Sequence, residues 1–292
     1  MVTTKTDISG YPVCIEMIEA GGLTFEVATC GEGDRLALCL HGFPAHALAW
    51  RDLLPLLARR GYRAWAPNQR GYGLSGRPQG VAAYNIEKLT DDVAALIDAS
   101  GARETVLIGH DWGAAVAWTF ASRKLRPLKA LIVMNVPHPK CYLEKLFRST
   151  QVFKSWYIFF FQIPWLPEWL LSRRHATLIE KMIDRSSNRD TFPPDLRQIF
   201  RDNAARPGAL TAMLNWYRAA FRNAARQDFP VIDVPTLMIW GEADVALNKS
   251  TTYDTHRYVS NLTLKYLPGV SHWVYQDAPD AVNAMIEELL AK

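Results

Sequence analysis

Short apolar runs alternate along the chain with stretches whose apolar positions recur every three or four residues. The runs 36–40, 62–66, 105–108, 130–134, 236–240 and 262–267 have strand length, and several carry little polar alternation, the pattern of parallel strands covered on both faces. Between them, the spacing predicts helices over 50–60, 86–99, 114–123 and 280–290. Ahead of all these, residues 15–20 and 23–29 alternate and meet at Gly21-Gly22, which predicts a hairpin. Strand–helix alternation of this kind predicts an α/β fold with an open, mostly parallel central sheet.

The pattern breaks between about His138 and Ile232, where no strand is evident and aromatic residues crowd together. That stretch holds 15 Lys and Arg against 8 Asp and Glu, while the whole chain of 292 residues carries only +4. It therefore differs in charge from the rest and reads as a helical insertion. The expected organisation is a core of residues 1–137 and 233–292, with an inserted helical cap of residues 138–232.

Composition narrows the function. A hydrophobic share of 49% against 21% charged provides for a sizeable core. The small net charge, without a basic block, argues against a nucleic-acid partner. Cys14, Cys30, Cys39 and Cys141 are scattered without metal or redox spacing. The residues MVTTKTDISG lack the apolar stretch of a secretion signal, so the expected location is cytoplasmic. The greasiest segment, 156–171, is too short for a membrane span and is interrupted by Pro164, Pro167 and Glu168. It is expected to line an apolar substrate cavity, with no stable membrane association. No HExxH or other ligand cluster calls for a metal, and Gly71-Tyr-Gly73-Leu-Ser-Gly76 lacks the strand–helix setting of a dinucleotide loop. No cofactor is expected, and the chain is expected to act as a monomer or homodimer.

Four short motifs carry chemistry. Gly109-His110-Asp111-Trp112-Gly113 lies between a strand and a helix, with the form of a nucleophile elbow, although an Asp there also suits a helix N-cap. Trp240-Gly-Glu242-Ala-Asp244 closes another strand, and Asp244 fits the loop position better than Glu242 as the partner of a histidine. Gly269-Val-Ser-His272-Trp273 follows the last strand. His41-Gly42-Phe43-Pro44 follows the run 36–40, where the N–H groups of Phe43 and Trp112 would converge as an oxyanion hole.

The order Asp111, Asp244, His272, each after its own strand, resembles that of the α/β-hydrolases. Within them, HGFP, GHDWG, Asn68-Gln-Arg70-Gly-Tyr-Gly73, WGEAD and SHW resemble the epoxide hydrolases, over roughly residues 20–290. The resemblance implies an α/β-hydrolase fold acting on a small apolar epoxide and water. It implies two ring-opening tyrosines in the cap. Asn215-Trp216-Tyr217-Arg218 resembles the motif that carries one of them, and Tyr157, upstream of Phe161-Gln162-Ile-Pro164, falls where the other belongs. His41, Pro44, Trp216 and Trp273, within these motifs, are expected to contact substrate.

An aspartate at the elbow has a chemical reason. Serine attacking a saturated carbon would form an ether that water does not readily cleave, whereas a carboxylate forms an ester that water can open. The base, His272 oriented by Asp244, then serves the water. A haloalkane dehalogenase would use the same nucleophile, but Phe43 offers no side-chain donor to a halide. A non-catalytic ligand-binding protein on this scaffold would need no such Asp–Asp–His set.

Overall fold

The computed structural model describes residues 11–291 apart from 147, 189–191 and 224–227. The N-terminal segment 1–10, read above for a secretion signal, lies outside the described residues.

Eight strands form one sheet: β1 (Cys14–Ala20), β2 (Leu23–Cys30), β3 (Arg35–Leu40), β4 (Arg63–Pro67), β5 (Glu104–His110), β6 (Ala130–Met134), β7 (Thr236–Gly241) and β8 (Leu262–Leu267). Their spatial order is β1-β2-β4-β3-β5-β6-β7-β8. The β1–β2 hairpin turns at Gly21-Gly22, and β2 runs antiparallel to β4. Every pairing from β4 through β8 is parallel. Residues 105–110, 130–134 and 236–241 are all buried, so both faces of the central sheet are covered. Helices α2 (Ile86–Ser100) and α3 (Trp112–Ser122) pack together, and Asp98 of α2 pairs with Arg126 in the segment after α3. Helix α1 (Leu54–Arg59) covers other strands, as does α11 (Pro279–Leu290), which follows the single turn α10 (Val274–Asp277). Arg60 and Glu287 link α1 to α11.

Helix α1 is shorter than the pattern over 50–60 predicts. Ala47–Trp50 forms a 3₁₀ turn instead, and Pro55, which cannot donate a helical N–H, fixes the start of α1 just before it.

Register aligns the chemistry. Leu40 pairs with Gly109, His110 with Met134, Met134 with Ile239, and Gly241 with Leu267. The carboxyl ends of five strands thus share one edge, and the loops leaving them bear Phe43, Asp111, Asn135, Asp244 and His272. In open α/β sheets this is the edge where ligands bind.

All described helices between β6 and β7 lie over that edge: α4 (Pro139–Leu146), α5 (Gln151–Lys154), α6 (Trp156–Phe160), α7 (Leu166–Ser186), α8 (Pro194–Ala205) and α9 (Ala209–Asn223). Helix α7 is broken at Arg173–Ala176, where the backbone leaves helical geometry. Buried polar contacts fix this layer. Asn203 of α8 accepts from the Gly73 N–H at 2.8 Å and donates to the Ala45 carbonyl at 3.1 Å. The Trp216 indole of α9 donates to the Arg70 carbonyl at 3.1 Å. Arg218 grips Glu168 with two bonds and the carbonyls of Phe161 and Ile163 with two more. The fork geometry of the guanidinium suits this task.

Candidate active site

Asp111 sits on the sharp turn from β5 into α3, with φ 50° and ψ −126°. Such a backbone costs a non-glycine residue about 1–3 kcal/mol. The turn is allowed because Gly113 lies against β3, where a Cβ would collide with the Leu40 carbonyl. Gly42 matters in the same way, since a Cβ there would overlap the Asp111 carboxylate itself. Although Asp111 occupies the N-cap position of α3, its side chain makes no capping bond. Its Oδ1 accepts the Phe43 backbone N–H at 2.7 Å, and its Oδ2 lies 3.5 Å from His272 Nε2. The Trp112 N–H opens the first turn of α3, where helical donors have no intrahelical acceptor.

His272 Nδ1 lies 2.7 Å from Asp244 Oδ2. Asp244 is held from all sides: its Oδ1 accepts from the N–H groups of Ala246 and Leu247 at 2.7 and 2.9 Å, and its Oδ2 from Asn135 Nδ2 at 2.8 Å. Asn135 follows β6 with φ 46° and also accepts the Gly241 N–H through its Oδ1. Sequence reading missed Asn135. The available signal was an amide immediately after the wholly apolar strand 130–134. Glu242, the alternative acid, instead pairs with Lys249 outside the site.

Electrostatics follow from this arrangement. Burial works against a charged His272, but the Asp244 carboxylate and the contact with Asp111 more than offset it, raising its pKa to about 10. Burial also opposes ionisation of Asp111, yet the His272 bond and charge and the Phe43 N–H hold its pKa below the ordinary carboxylate value. The resting pair is therefore imidazolium and carboxylate. His110, one residue before Asp111, has its Nε2 at 2.9 Å from the His272 carbonyl. Burial lowers its pKa to about 3, so it is a neutral donor to that carbonyl.

Above Asp111 lies a cavity of about 320 Å³, lined chiefly by apolar side chains, with Trp112, Trp216, Tyr157 and Tyr217 on its walls. The two tyrosine rings meet edge to face, centroids 5.9 Å apart. Tyr217 also packs edge-on against Phe43, Phe161 and Trp112. Burial, with a further contribution from the Asp111 charge, pushes both phenol pKa values well up, so both stay protonated.

Three expected substrate contacts are corrected. His41 is wholly buried, its Nδ1 2.9 Å from the Gly42 carbonyl and its Nε2 accepting the Gln69 N–H at 3.2 Å. It braces the loop that carries Phe43 and does not line the cavity. Pro44 is likewise buried away from the cavity. The Trp273 indole turns toward the helical layer and donates to Ser186 at 2.9 Å. The segment 156–171 also divides: Tyr157, Ile158 and Phe159 line the cavity, whereas Trp156, Trp165 and Trp169 face solvent. In a helix successive residues are turned by about 100°, so Trp156 and Tyr157 meet different surroundings.

A nucleophile elbow beneath an inserted helical layer, with acid and histidine on later strand ends, defines an α/β-hydrolase. Residues 38–279 match the family model for the alpha/beta hydrolase fold. The AB hydrolase superfamily protein YfhM of Bacillus subtilis is 37% identical over 94% of this chain and 97% of its own length. Epoxide hydrolase 3 of Xenopus tropicalis is 36% identical over 94% of this chain and 77% of its own. A Bacillus megaterium epoxide hydrolase, solved as a point mutant with its product (R)-3-[1]naphthyloxy-propane-1,2-diol, superposes with TM-score 0.87. That structure covers 95% of this chain and 100% of its own, at 27% identity. The chain belongs to the epoxide hydrolase family of the α/β-hydrolases.

Proposed function

We propose that the protein hydrolyses epoxides to vicinal diols through an alkyl ester on Asp111. The observation that carries this reading is the placement of an anionic Asp111 in the wall of a largely apolar cavity whose other walls hold two protonated tyrosines. A carboxylate oxygen of Asp111 attacks one ring carbon, the C–O bond breaks, and a proton from Tyr157 or Tyr217 goes to the ring oxygen. That tyrosine regains a proton, the net donor being His272, whose charge was supported by the carboxylate now lost to the ester. Neutral His272 then takes a proton from water, and the hydroxide attacks the Asp111 ester carbonyl. The oxygen that becomes negative faces the Phe43 and Trp112 N–H groups. Collapse releases the diol and restores carboxylate and imidazolium, so charge and protons balance over the cycle.

The core of 1–137 and 233–292 would supply nucleophile, acid and base, and the cap of 138–232 would supply the tyrosines and Trp216. Water is the second substrate, and the expected setting is the cytoplasm. The dehalogenase reading is disfavoured because Phe43, packed on Tyr217, presents only a hydrocarbon ring where a halide would need a donor.

The decisive experiment uses His272→Gln with a styrene-type epoxide. Intact-protein mass spectrometry is expected to show an adduct of one substrate mass, mapped by peptide digestion to Asp111. An unmodified Asp111 after full exposure would exclude the ester route.

A further inference from the structure

One surface of the helical layer takes no part in this chemistry. Phe153, Trp156, Trp165 and Trp169 are 77%, 63%, 84% and 55% exposed. Phe153 lies on α5 and Trp156 begins α6, while Trp165 immediately precedes α7 and Trp169 lies in its first turn, so the four fall within one short stretch of neighbouring elements. Ile163 and Leu166, also exposed, lie between the pairs. Soluble proteins expose large apolar side chains singly, and a cluster within one short segment marks a contact surface.

Two further observations indicate what that contact is. First, the cluster adjoins the mouth of the cavity. Phe159 and Phe221 both line the cavity and reach solvent, packed edge to face with centroids 5.8 Å apart, and Trp156 packs on neighbouring Phe160 at 6.0 Å. Second, the surroundings are cationic. Between residues 148 and 174 the charged side chains are Arg148, Lys154, Glu168, Arg173 and Arg174, and the single acid is bound by Arg218. Exposed Arg222 adds another cation beside Phe221.

We propose that this face docks reversibly on an anionic lipid bilayer, with the four aromatic side chains at headgroup depth and the cavity mouth turned toward the acyl layer. Tryptophan prefers that depth because its ring is apolar and its N–H is polar, and arginines beside it meet lipid phosphates. A second copy of the chain fits less well. A two-fold contact would set the same patch against itself and bring Arg148, Arg173 and Arg174 of both copies together. Among the described residues no helix is long and apolar enough to cross a membrane, so the contact is peripheral. The function of the surface, delivery of an apolar epoxide from the lipid phase into the cavity, rests on the epoxide-hydrolase reading. The docking itself does not.

The test is co-sedimentation of the full chain with phosphatidylcholine vesicles, with and without phosphatidylglycerol. Wild type is expected to partition onto the phosphatidylglycerol vesicles and to be released by added salt. The Trp156→Ser/Trp165→Ser variant is expected to partition about tenfold more weakly. Its turnover of a water-soluble short-chain epoxide should be unchanged, which shows that the fold is intact. No partition of wild type, or equal partition of the variant, overturns the proposal. So does light scattering that shows a dimer dissolved by the same substitutions without vesicle binding. Partition is read without substrate, so its failure is distinct from a failure to open epoxides.

Discussion

Asp111 stands where an aspartate would ordinarily cap a helix, yet its carboxylate turns away from α3 toward Phe43 and His272. A capping carboxylate gains helix stability, whereas this one is kept free for chemistry in a strained backbone. In the proposed reaction the tyrosines serve the leaving oxygen. Tyr217→Phe removes one proton donor and leaves the packing against Phe43 and Trp112, so kcat/KM for epoxides should fall about 10²-fold with little change in thermal stability. Steady-state kinetics checks this, and an unchanged kcat/KM would remove Tyr217 from the reaction. His110 acts at one remove, through the His272 carbonyl. His110→Phe leaves that buried carbonyl unpaired, at a cost of about 1–3 kcal/mol in urea unfolding. Hydrolysis of the ester, which needs a placed His272, should slow in single-turnover experiments, while alkylation of Asp111 stays close to wild type.

At the level of elements, strand register brings the site together, because five parallel strands end at one edge and each contributes one loop. The helical layer is fastened to that edge by side-chain bonds to main-chain carbonyls, and Arg218 is the most heavily used of these. Arg218→Ala strands Glu168 in partly buried surroundings and frees the carbonyls of Phe161 and Ile163. Removing one partner of a buried pair costs about 3–5 kcal/mol, with the lower end apt here because Glu168 retains some solvent. The loss should appear as faster hydrogen exchange in α6 and α9 and a raised KM, since both elements carry cavity walls. Unaltered exchange there would show that packing alone holds the layer.

For the whole molecule, buried histidines make stability depend on pH in both directions. Burial lowers His41 and His110 from 6.5 to about 3 and His138 to about 4. Below pH 6.5 the unfolded chain binds protons that the native one refuses, so stability falls by about 1.4 kcal/mol per pH unit for each group until its native pKa is reached. His272 behaves oppositely. Its pKa is raised to about 10, so its contribution is complete below 6.5 and is lost as pH climbs toward 10. Melting temperature against pH should therefore fall on both sides of neutrality, and His272→Gln should flatten the alkaline limb. Much of this molecule was legible in the chain: the strands, the elbow, the acid and the histidine follow from apolar runs, turn residues and their order, which are local properties. Asn135 was not legible, because a single amide after a strand has no pattern until the fold brings Gly241 and Asp244 to it. The cavity-facing role expected of His41 and Trp273, and the outward turn of Trp156, Trp165 and Trp169, depended on which side of a loop or helix met the layer opposite. Periodicity fixes which residues share a face, but only packing between distant segments decides where that face points, because burial is a property of the assembled surface.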